Sequence, residues 1–564
     1  MLRRTLTDLF LIVLFGLVMG GVMGIGSNWF VDGVSYFASL RANATWADFS
    51  LFGTTYSYGS VLFLMGAACL LSVLKKALNL SGWAGAADTI HAAHSKDQII
   101  DVKKGLGSTL AAFICASGGA SVGQYGPLVH FGATIGTLFK RLFISRFEVD
   151  VLIGCGVAAA ISAGFNAPIA GVIFAHEVIL RHFSLRALAP ISITAISANS
   201  FEQLYFPRSV HTFELTHTVP PLTEFVPLLL IAAPLLALTA VAFMASIRIS
   251  AKFADAYPFS KTDLPFIAAF ICGSVGMFYP QILGIGVSTM NDFISGEYLL
   301  GMATILLIAK LTMSALCIGF GLFGGVFSPA LFLGVAVGSV ISLTLSQLGF
   351  QDISQVVIVA SMAAVGAAVI GAPLSLVIIV LEFTGSYEYA VASMSTIVVT
   401  NFITRRFFAL SLFDRQLIER GIDMTMGRER IARTQTLVVV CDRISFVRVS
   451  EACSGHEALT SMREARQSEC YAVDSDGFLV GKLSVFDAQD SGAESIAGNI
   501  DRNPLIFSTS DSLEAAMSAV RGFVGEGIPL IDANTKKIIG VISEGSLMHA
   551  ALKVQELTQR MERD

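Results

Sequence analysis

Two short glycine-rich stretches have the composition of an anion-binding turn. The first, GQYGPLVHFGATIG, covers residues 123–136, and the second, GGVFSPALFLGVAVG, covers residues 324–338. In each, a proline opens an apolar helical run, where its missing N–H is not needed. The amide N–H groups just before that run have no acceptor within the helix and lie at the positive end of its dipole. Neither turn contains lysine or arginine, so the pattern predicts a site that holds a small anion by backbone dipoles and still releases it.

The two stretches belong to a longer internal repeat. Pro127 aligns with Pro329 at an offset of 202 residues, and FNAPIAGVIFAHE aligns with IGAPLSLVIIVLE so that Glu177 matches Glu382 at an offset of 205. The glycines that align after the first pair of prolines are Gly132 with Gly334 and Gly136 with Gly338. Paired segments interrupted by glycine or proline in two halves of a chain are typical of transporter sites near the membrane midplane. Each glycine could also be a helix-packing position.

The composition places these turns in a membrane protein. Of the 564 residues, 54% are hydrophobic and 14% are charged, and the mean hydropathy is +0.70, which is too apolar for a soluble chain of this length. Some apolar runs are long enough to cross a bilayer: residues 9–26, 225–244, 299–320 and 356–381. Others are short and broken by glycine or proline, and we interpret them as half-helices, tilted helices or re-entrant segments. Broken backbone is tolerated where it is packed in protein or lines a wet cavity. These runs are 110–136, 149–180 and 326–345.

The distribution of charge predicts both the topology and a separate tail. Arg3 and Arg4 precede the first apolar run, which by the positive-inside rule places the N-terminus in the cytoplasm. Residues 434–564 carry 12 Lys+Arg and 19 Asp+Glu of the chain's 37 and 42. This excess of acidic residues indicates a soluble domain.

The tail repeats as well. CYAVDSDGFLVGKLSVFD and GIPLIDANTKKIIGVISEGS, at 470–487 and 527–546, both have the pattern strand, acidic turn, strand and short helix. We therefore predict a membrane domain over residues 1–427, a linker over 428–436 and a tail domain over 437–564.

Enzyme chemistry finds little support. The eight cysteines show no paired spacing, so neither a disulfide framework nor a zinc site is indicated. His176-Glu177 resembles the start of a zinc-protease helix, but the position of the second histidine is Leu180. No metal site and no catalytic residue are predicted.

Taken together, these motifs resemble the CLC family of chloride channels and chloride/proton antiporters over nearly the whole chain. GQYGP is similar to the family's G-[KR]-E-G-P, GGVFSP to its G-x-F-x-P, FNAPIAGVIFAHE to its helix after F-N-A-P, and SLFD to its S-x-Y-[DE]. The resemblance implies an all-α polytopic membrane domain of two inverted-repeat halves, followed by a cytoplasmic α/β pair of CBS domains. It also implies a homodimer in membrane lipid that carries chloride or another small anion and binds no nucleic acid.

The resemblance also assigns an anion site. It implies coordination by the backbone N–H groups of Gly123, Gln124, Tyr125, Gly126, Val326 and Phe327. Two side-chain donors of the family are missing: Ala84 takes the place of a serine and Phe413 the place of a tyrosine. Binding at the central site should therefore be weaker, or depend on the backbone alone.

Two departures concern proton coupling. The family has a glutamate at the position of Tyr125, and its antiporters have a second glutamate at the position of Val178. A phenol, with a pKa of about 10, stays neutral at physiological pH and cannot act as a mobile negative charge. The predicted function is passive, proton-uncoupled chloride conduction, with Tyr125 as a neutral plug or hydrogen-bonding gate.

Several alternatives remain open. Tyr125 could be a packing aromatic, and Glu177 and Glu382 could cap or bridge helices or act as functional intramembrane carboxylates. His130 and His176 could shuttle protons or be ordinary core histidines. The alternative functions are a chloride/proton antiporter with a histidine relay and a carrier of nitrate, fluoride or bicarbonate.

The tail is predicted to bind a ligand rather than to catalyse a reaction. CBS pairs can hold an adenine nucleotide, with an aspartate on the ribose. Asp487 matches that aspartate in the first repeat, and Ser546 stands at the same position in the second. The open alternatives are one site for ATP, ADP or AMP, or a pair used only for dimer contact.

Overall fold

The chain divides into two compact units. The computed structural model describes residues 2–51, 54–95, 100–142, 148–206, 215, 221–256, 260–350, 353–408, 410–424 and 428–563. The units are Met1–Ile422 and Asp423–Asp564, and the predicted domain end at residue 427 lies outside the described residues.

The segment predicted as a linker is part of the second unit. Arg428–Gln435 forms a helix. The guanidinium groups of Arg430 and Arg433 form ion pairs with Glu514 at 2.6 and 2.9 Å. Residues 428–435 of the segment predicted as a linker are thus helical and are joined to Glu514 of the same unit by two ion pairs.

The described part of the first unit is helical apart from one hairpin and short 3₁₀ and π turns. Its helices are α1 Leu2–Ala42, α2 Gly59–Ala77, α3 Ala86–His94, α4 Val102–Gly118, α5 Tyr125–Leu142, α6 Val149–Phe165, α7 Pro168–Phe174, α8 Leu185–Tyr205, α9 Leu222–Ala256, α10 Leu264–Phe278, α11 Val287–Ile294, α12 Leu300–Gly319, α13 Phe327–Gln347, α14 Ser354–Ile370, α15 Pro373–Thr384, α16 Tyr387–Phe408 and α17 Leu412–Glu419. The hairpin strands are β1 Asp48–Leu51 and β2 Thr54–Ser57, and α7 continues as a π-helix over Ala175–Leu180.

Six helices of the described part are long and apolar enough to cross a membrane, and shorter apolar helices lie between them. Two length predictions are wrong. The apolar run 356–381 is broken at Gly371, whose φ of +81° ends α14 just before Pro373. The run 326–345, expected to be broken, forms the continuous helix α13, because its glycines pack against α14 rather than ending the helix.

The internal repeat is visible in matching elements. The helices α5, α6 and α7 correspond to α13, α14 and α15, and Asn166 and Gly371 both adopt a left-handed conformation between the second and third helix of each set. A Cβ on Gly132 would overlap the carbonyl of Gly156 on α6. One on Gly334 would lie 2.6 Å from the Cα of Met362 on α14. These aligned glycines allow close helix contact, which confirms their packing role.

Two carboxylates cross between the repeats. Glu177 accepts hydrogen bonds from the backbone N–H groups of Leu374 and Ser375 at 2.9 and 2.8 Å, and from the Ser375 hydroxyl at 2.6 Å. Glu382 accepts from the N–H groups of Ile169 and Ala170 at 2.9 and 2.8 Å. The helices α7 and α15 match each other in the two repeats. Glu177, just after α7, caps the first turn of α15, and Glu382, in α15, caps the first turn of α7. This confirms the capping interpretation of the pair.

The second unit contains two similar three-stranded sheets. The first has the order β3 Val447–Ser450, β4 Glu469–Val473 and β5 Leu479–Ser484, and the second the order β6 Phe507–Ser508, β7 Ile528–Ile531 and β8 Ile538–Ile542. In each, a parallel pair is followed by an antiparallel pair with an irregularity near its end. The helices are α18 Arg428–Gln435, α19 Gly455–Ala465, α20 Val485–Ser491, α21 Leu513–Ala519 and α22 Glu544–Arg563. The predicted α/β repeat is confirmed.

Candidate functional site

The two glycine-rich turns meet and hydrogen-bond to each other. The Gly123 N–H donates to the Gly325 carbonyl at 2.7 Å, and the Gly325 N–H donates to the Gly123 carbonyl at 2.6 Å. This antiparallel bridge is the contact that a local two-fold axis would produce, and it brings the N-terminal ends of α5 and α13 together. Because its N–H is used in the bridge, Gly123 cannot donate to an anion. The prediction for Gly123 is therefore wrong.

The amides that follow Gly123 and Gly325 lie at the two helix starts. The first bonds of the helices run from Leu128 N to Gln124 O at 3.1 Å in α5 and from Ala330 N to Val326 O at 3.0 Å in α13. The N–H groups before these donors have no acceptor within the helix, and the intervening prolines carry none. The amides of Gly126 and Val326 are thus placed at two positive dipole ends.

A cavity opens at this junction. It has a volume of about 270 Å³ and is lined by residues of α3, α17 and the two turns. The predicted residues Gly126, Val326 and Phe413 line it, and their neighbours in its wall include Gly85, Gly325 and Leu322. In the described part of the chain, four further predicted positions do not line the cavity: Ala84, Gln124 and Phe327, which are buried, and Tyr125, which is half-buried.

The backbone N–H groups of the two residues before α3 both donate to side chains of the protein. The Ala84 N–H donates to the Ser108 hydroxyl at 2.8 Å, and the Gly85 N–H donates to the Asp88 carboxylate at 2.8 Å. Asp88 also pairs with Arg420 at 2.9 Å, and both side chains line the cavity. The sequence reasoning missed this ion pair. Asp88 could have been found as the fourth residue of a capping pattern, but its partner is 332 residues away.

Tyr125 is held by aromatic rings from both repeats. Its ring stacks on Phe165 with centroids 3.6 Å apart and an interplanar angle of 25°. It also meets Phe327 edge-on, with centroids 5.7 Å apart. A Cβ on Gly164 would lie 3.0 Å from the ring. The Tyr125 ring therefore makes aromatic packing contacts, one of them with Phe327, the first residue of α13. No carboxylate occupies this position.

The remaining candidates are buried away from the cavity wall. Val178 is 3% exposed and lies in the π-helical continuation of α7. The Nδ1 atom of His176 lies 3.0 Å from the His182 carbonyl, and Nδ1 of His130 lies 2.8 Å from the Thr89 hydroxyl. Each histidine thus has a partner for one nitrogen, as expected of a core histidine. The Nε2 atoms of both are buried without a hydrogen-bond partner among the described residues.

In the second unit, Asp487 and Ser546 occupy equivalent places at the starts of α20 and α22. Asp487 Oδ2 accepts from the backbone N–H and hydroxyl of Ser484 at 3.2 and 2.6 Å. The Ser546 hydroxyl lies 3.1 Å from that of Ser543. Both contacts of the Asp487 carboxylate use Oδ2, and Oδ1 has no hydrogen bond to a described residue.

Comparisons with known proteins agree with this arrangement. A family model described as voltage gated chloride channel matches residues 63–405. The voltage-gated ClC-type chloride channel ClcB of Escherichia coli is 26% identical over 326 residues, which cover 56% of this chain and 76% of that protein. The crystal structure of a slow cyanobacterial Cl⁻/H⁺ antiporter superposes with a TM-score of 0.66 at 19% identity, covering 73% of this chain and 97% of its own. That of a eukaryotic CLC transporter superposes with a TM-score of 0.63 at 17% identity, covering 96% and 98%.

Proposed function

Because the chain belongs to the voltage gated chloride channel family and is a multi-pass membrane protein, we propose that it conducts chloride passively, without coupling to protons. The observation that carries the proposal is the pair of helix starts that meet at the Gly123–Gly325 bridge beside a cavity. A chloride ion in that cavity would accept hydrogen bonds from the N–H groups of Gly126 and Val326. It would also lie at the positive ends of two helix dipoles.

The absence of coupling is proposed from the two positions next to the site. Coupled exchange needs groups that bind and release protons along the route. Tyr125 places a neutral ring against Phe165 and Phe327, and Val178 is a buried aliphatic side chain. Neither can carry a proton at neutral pH. In this proposal the packed Tyr125 ring narrows the route rather than swinging as a charged gate.

A flux measurement tests the function. Purified protein is reconstituted in liposomes loaded with chloride, the liposomes are diluted into chloride-poor buffer, and both chloride efflux and external pH are recorded. We expect chloride efflux above that of protein-free liposomes, with no proton movement against its gradient. Chloride efflux that drives uphill proton movement would refute uncoupled transport and favour the histidine relay. Efflux of fluoride, nitrate or bicarbonate in place of chloride would identify another anion.

A charged side chain at position 125 should make the flux depend on pH. In Tyr125→Glu the carboxylate would compete with the anion for the amides of the two helix starts. Glutamate has an ordinary pKa of about 4.3. The carboxylate is charged above that pKa, so flux should be about tenfold below wild type at neutral pH, by analogy with other single electrostatic changes at a site, and should recover as the pH falls.

Tyr125→Gln is the matched control, because glutamine has nearly the same size as glutamate and does not titrate. Its flux should be independent of pH over the same range. If Tyr125→Glu and Tyr125→Gln show the same pH profile, position 125 does not face the anion route, and Tyr125 is only a packing aromatic.

We further propose that the protein is a homodimer with its N-terminus and its tail in the cytoplasm. Lys75 and Lys76 end α2, and Arg405 and Arg406 are in the last turn of α16, which favours a cytoplasmic position for both helix ends. Large apolar side chains next to the two crossing carboxylates are exposed, with Ile169 at 59% and Leu374 at 53%. In a membrane, this face can meet lipid or a second copy of the chain. Crosslinking in liposomes at these two positions distinguishes the two.

Adenine nucleotide binding by the second unit is proposed on the geometry of Asp487. The first repeat has the aspartate that would hold a ribose hydroxyl through Oδ1, whereas the second has only a serine hydroxyl. We expect one site per chain. Calorimetric titration of ATP, ADP and AMP into the full-length protein should give a stoichiometry of about one for at least one nucleotide, and Asp487→Asn should weaken it by about tenfold. The absence of heat with all three nucleotides would leave dimer contact as the role of the unit.

A further inference from the structure

A lysine is buried at membrane depth behind the paired turns. Lys310 of α12 is 0% exposed. Its ammonium group donates to the carbonyls of Ile282 and Gly284 at 2.9 and 2.7 Å and lies 4.9 Å from the centroid of the Phe332 ring. These contacts are two carbonyls and an aromatic ring, and the lysine forms no ion pair with a carboxylate among the described residues. Two carbonyl dipoles therefore solvate this amine, and no described carboxylate pairs with it.

An arginine approaches the same segment from α1. Arg41, in the last turn of α1, packs against Gly119, where a Cβ would overlap its guanidinium group. Its Nη1 atom is buried and has no hydrogen-bond partner in the described part of the chain. Nη2 lies 4.0 Å from the place that a Cβ on Gly284 would take. Arg41 likewise forms no ion pair with any described residue.

Hydrogen bonds through Gly284 connect Lys310 and the segment beside Arg41 to the turn that ends at Gly123. The Gly284 N–H donates to the Gly119 carbonyl at 3.0 Å, and the Gly284 carbonyl accepts from Lys310 at 2.7 Å. Gly119 begins the turn that runs to Gly123, whose bonds to Gly325 form the centre of the site. Two positive charges therefore lie behind a turn that has Gln124 and no basic residue of its own.

Buried charge without a counter-charge is unfavourable, so it is normally paired. An anion taken up from solution would supply a counter-charge for both groups. We propose that Arg41 and Lys310 supply the fixed positive charge of the site and hold an anion at the outer side of the turn, with Arg41 Nη1 as a direct donor. This inference rests on the proposed function, since it takes the permeating anion as the missing counter-ion.

The test is the chloride dependence of thermal stability at constant ionic strength, with isethionate replacing chloride. A bound anion stabilises the folded state, so the unfolding temperature of the wild type should rise with chloride. Arg41→Gln and Lys310→Met should each weaken the apparent chloride affinity by about tenfold, the size expected for removing a charge several ångströms from an ion in a partly buried site. Arg41→Lys keeps the positive charge, so its apparent chloride affinity should fall less than that of Arg41→Gln.

Arg186→Gln is the matched control, because Arg186 is a half-buried arginine that already has a carboxylate partner, Asp150, at 3.8 Å. Its chloride dependence should equal that of the wild type. Adding Gln124→Arg to Arg41→Gln returns a positive charge to the turn and should restore at least part of the affinity, which a purely structural role of Arg41 would not allow. If Lys310→Met fails to fold, the result with Arg41→Gln tests the proposal alone. This variant should fold, because replacing Arg41 removes no hydrogen bond to a described residue.

The two proposals can fail separately. If wild-type protein releases chloride from liposomes while Arg41→Gln and Lys310→Met keep the full chloride-dependent shift, the basic pair is not part of the site and the proposed function stands. If wild-type protein shows neither efflux nor a chloride-dependent shift, both proposals are overturned.

Discussion

Gly325→Ala is expected to abolish most anion flux while leaving the protein folded. A Cβ on Gly325 would lie 2.8 Å from the Gly126 nitrogen and 3.0 Å from Pro127 Cδ. Both atoms belong to the backbone or ring at the start of α5, so neither can rotate away. The two turns would have to separate, and the bonds between Gly123 and Gly325 would lengthen or break. Gly126 and Val326, which line the cavity, would then move apart.

The size of the effect follows from the cost of overpacking. Added methyl groups in a tightly packed region cost about 1–3 kcal/mol, and a change of about 1.4 kcal/mol at the site corresponds to a tenfold change in rate. We therefore expect the chloride efflux rate to fall by about tenfold or more. The measurement is efflux from liposomes at matched protein density, with the thermal unfolding temperature recorded on the same preparation.

Gly85→Ala provides the matched control for this prediction. Gly85 lines the same cavity, but the nearest atom to a Cβ there is Phe323 Cζ at 4.0 Å. An alanine fits at this position, so flux should stay close to that of the wild type. Equal flux through Gly325→Ala and Gly85→Ala would mean that the meeting of the two turns does not form the anion route.

The sequence was sufficient to predict features that depend on local chemistry or on comparison of the chain with itself. Proline after a glycine-rich turn marks a helix start whatever the fold around it. Self-alignment then matched Pro127 with Pro329, and the structure has a helix start at each. The same comparison matched Glu177 with Glu382, and their matching roles follow from the repeat. The acidic turns between strands in the tail are local signals of the same kind.

Features formed by distant segments could not be predicted from the sequence. The N–H of Gly123 was assigned to the anion, but it bonds to Gly325, a residue that only the folded chain brings near. The Asp88–Arg420 ion pair and the position of Arg41 beside Gly284 depend in the same way on tertiary contacts. Helix breaks were also misjudged within the apolar runs, because a glycine in a membrane helix can serve packing or end the helix and the local sequence is similar in both cases.

Removing either crossing carboxylate should lower the stability of the first unit far more than removing an exposed carboxylate. Glu177→Ala would leave the Leu374 and Ser375 N–H groups and the Ser375 hydroxyl without their acceptor. Glu382→Ala would leave two N–H groups in the first turn of α7 without theirs. Hydrogen bonds to a charged group contribute about 1.5–3 kcal/mol each, and helix caps contribute up to about 2 kcal/mol. We expect the free energy of unfolding to fall by about 2–4 kcal/mol for each alanine variant, the order of magnitude of such cap losses.

The conservative variants separate capping from proton transfer. Glu177→Gln keeps one carbonyl oxygen as an acceptor, so its loss of stability should be smaller than that of Glu177→Ala. Glu388→Ala is the control, because Glu388 is an exposed carboxylate at the start of α16 whose hydrogen bond in the described part of the chain is to the nearby Ser386. Its unfolding curve should resemble that of the wild type. If Glu177→Gln is as stable as wild type but changes the proton movement that accompanies chloride flux, Glu177 is a proton carrier and the capping interpretation fails.

A double-mutant cycle tests whether the two carboxylates act as one structural element. α7 and its π-helical continuation carry Glu177 and receive the cap from Glu382, so α7 and α15 hold each other at both ends of the contact. Once one cap is lost, the helices can separate, and removing the second should cost less than it does in the wild type. The measurement is unfolding of the two single variants and the double variant in detergent. A coupling energy of about 0.5–3 kcal/mol, the range for residues that share a network, would show that the repeats are joined by a reciprocal clamp, whereas additive losses would mean that each helix start is capped independently.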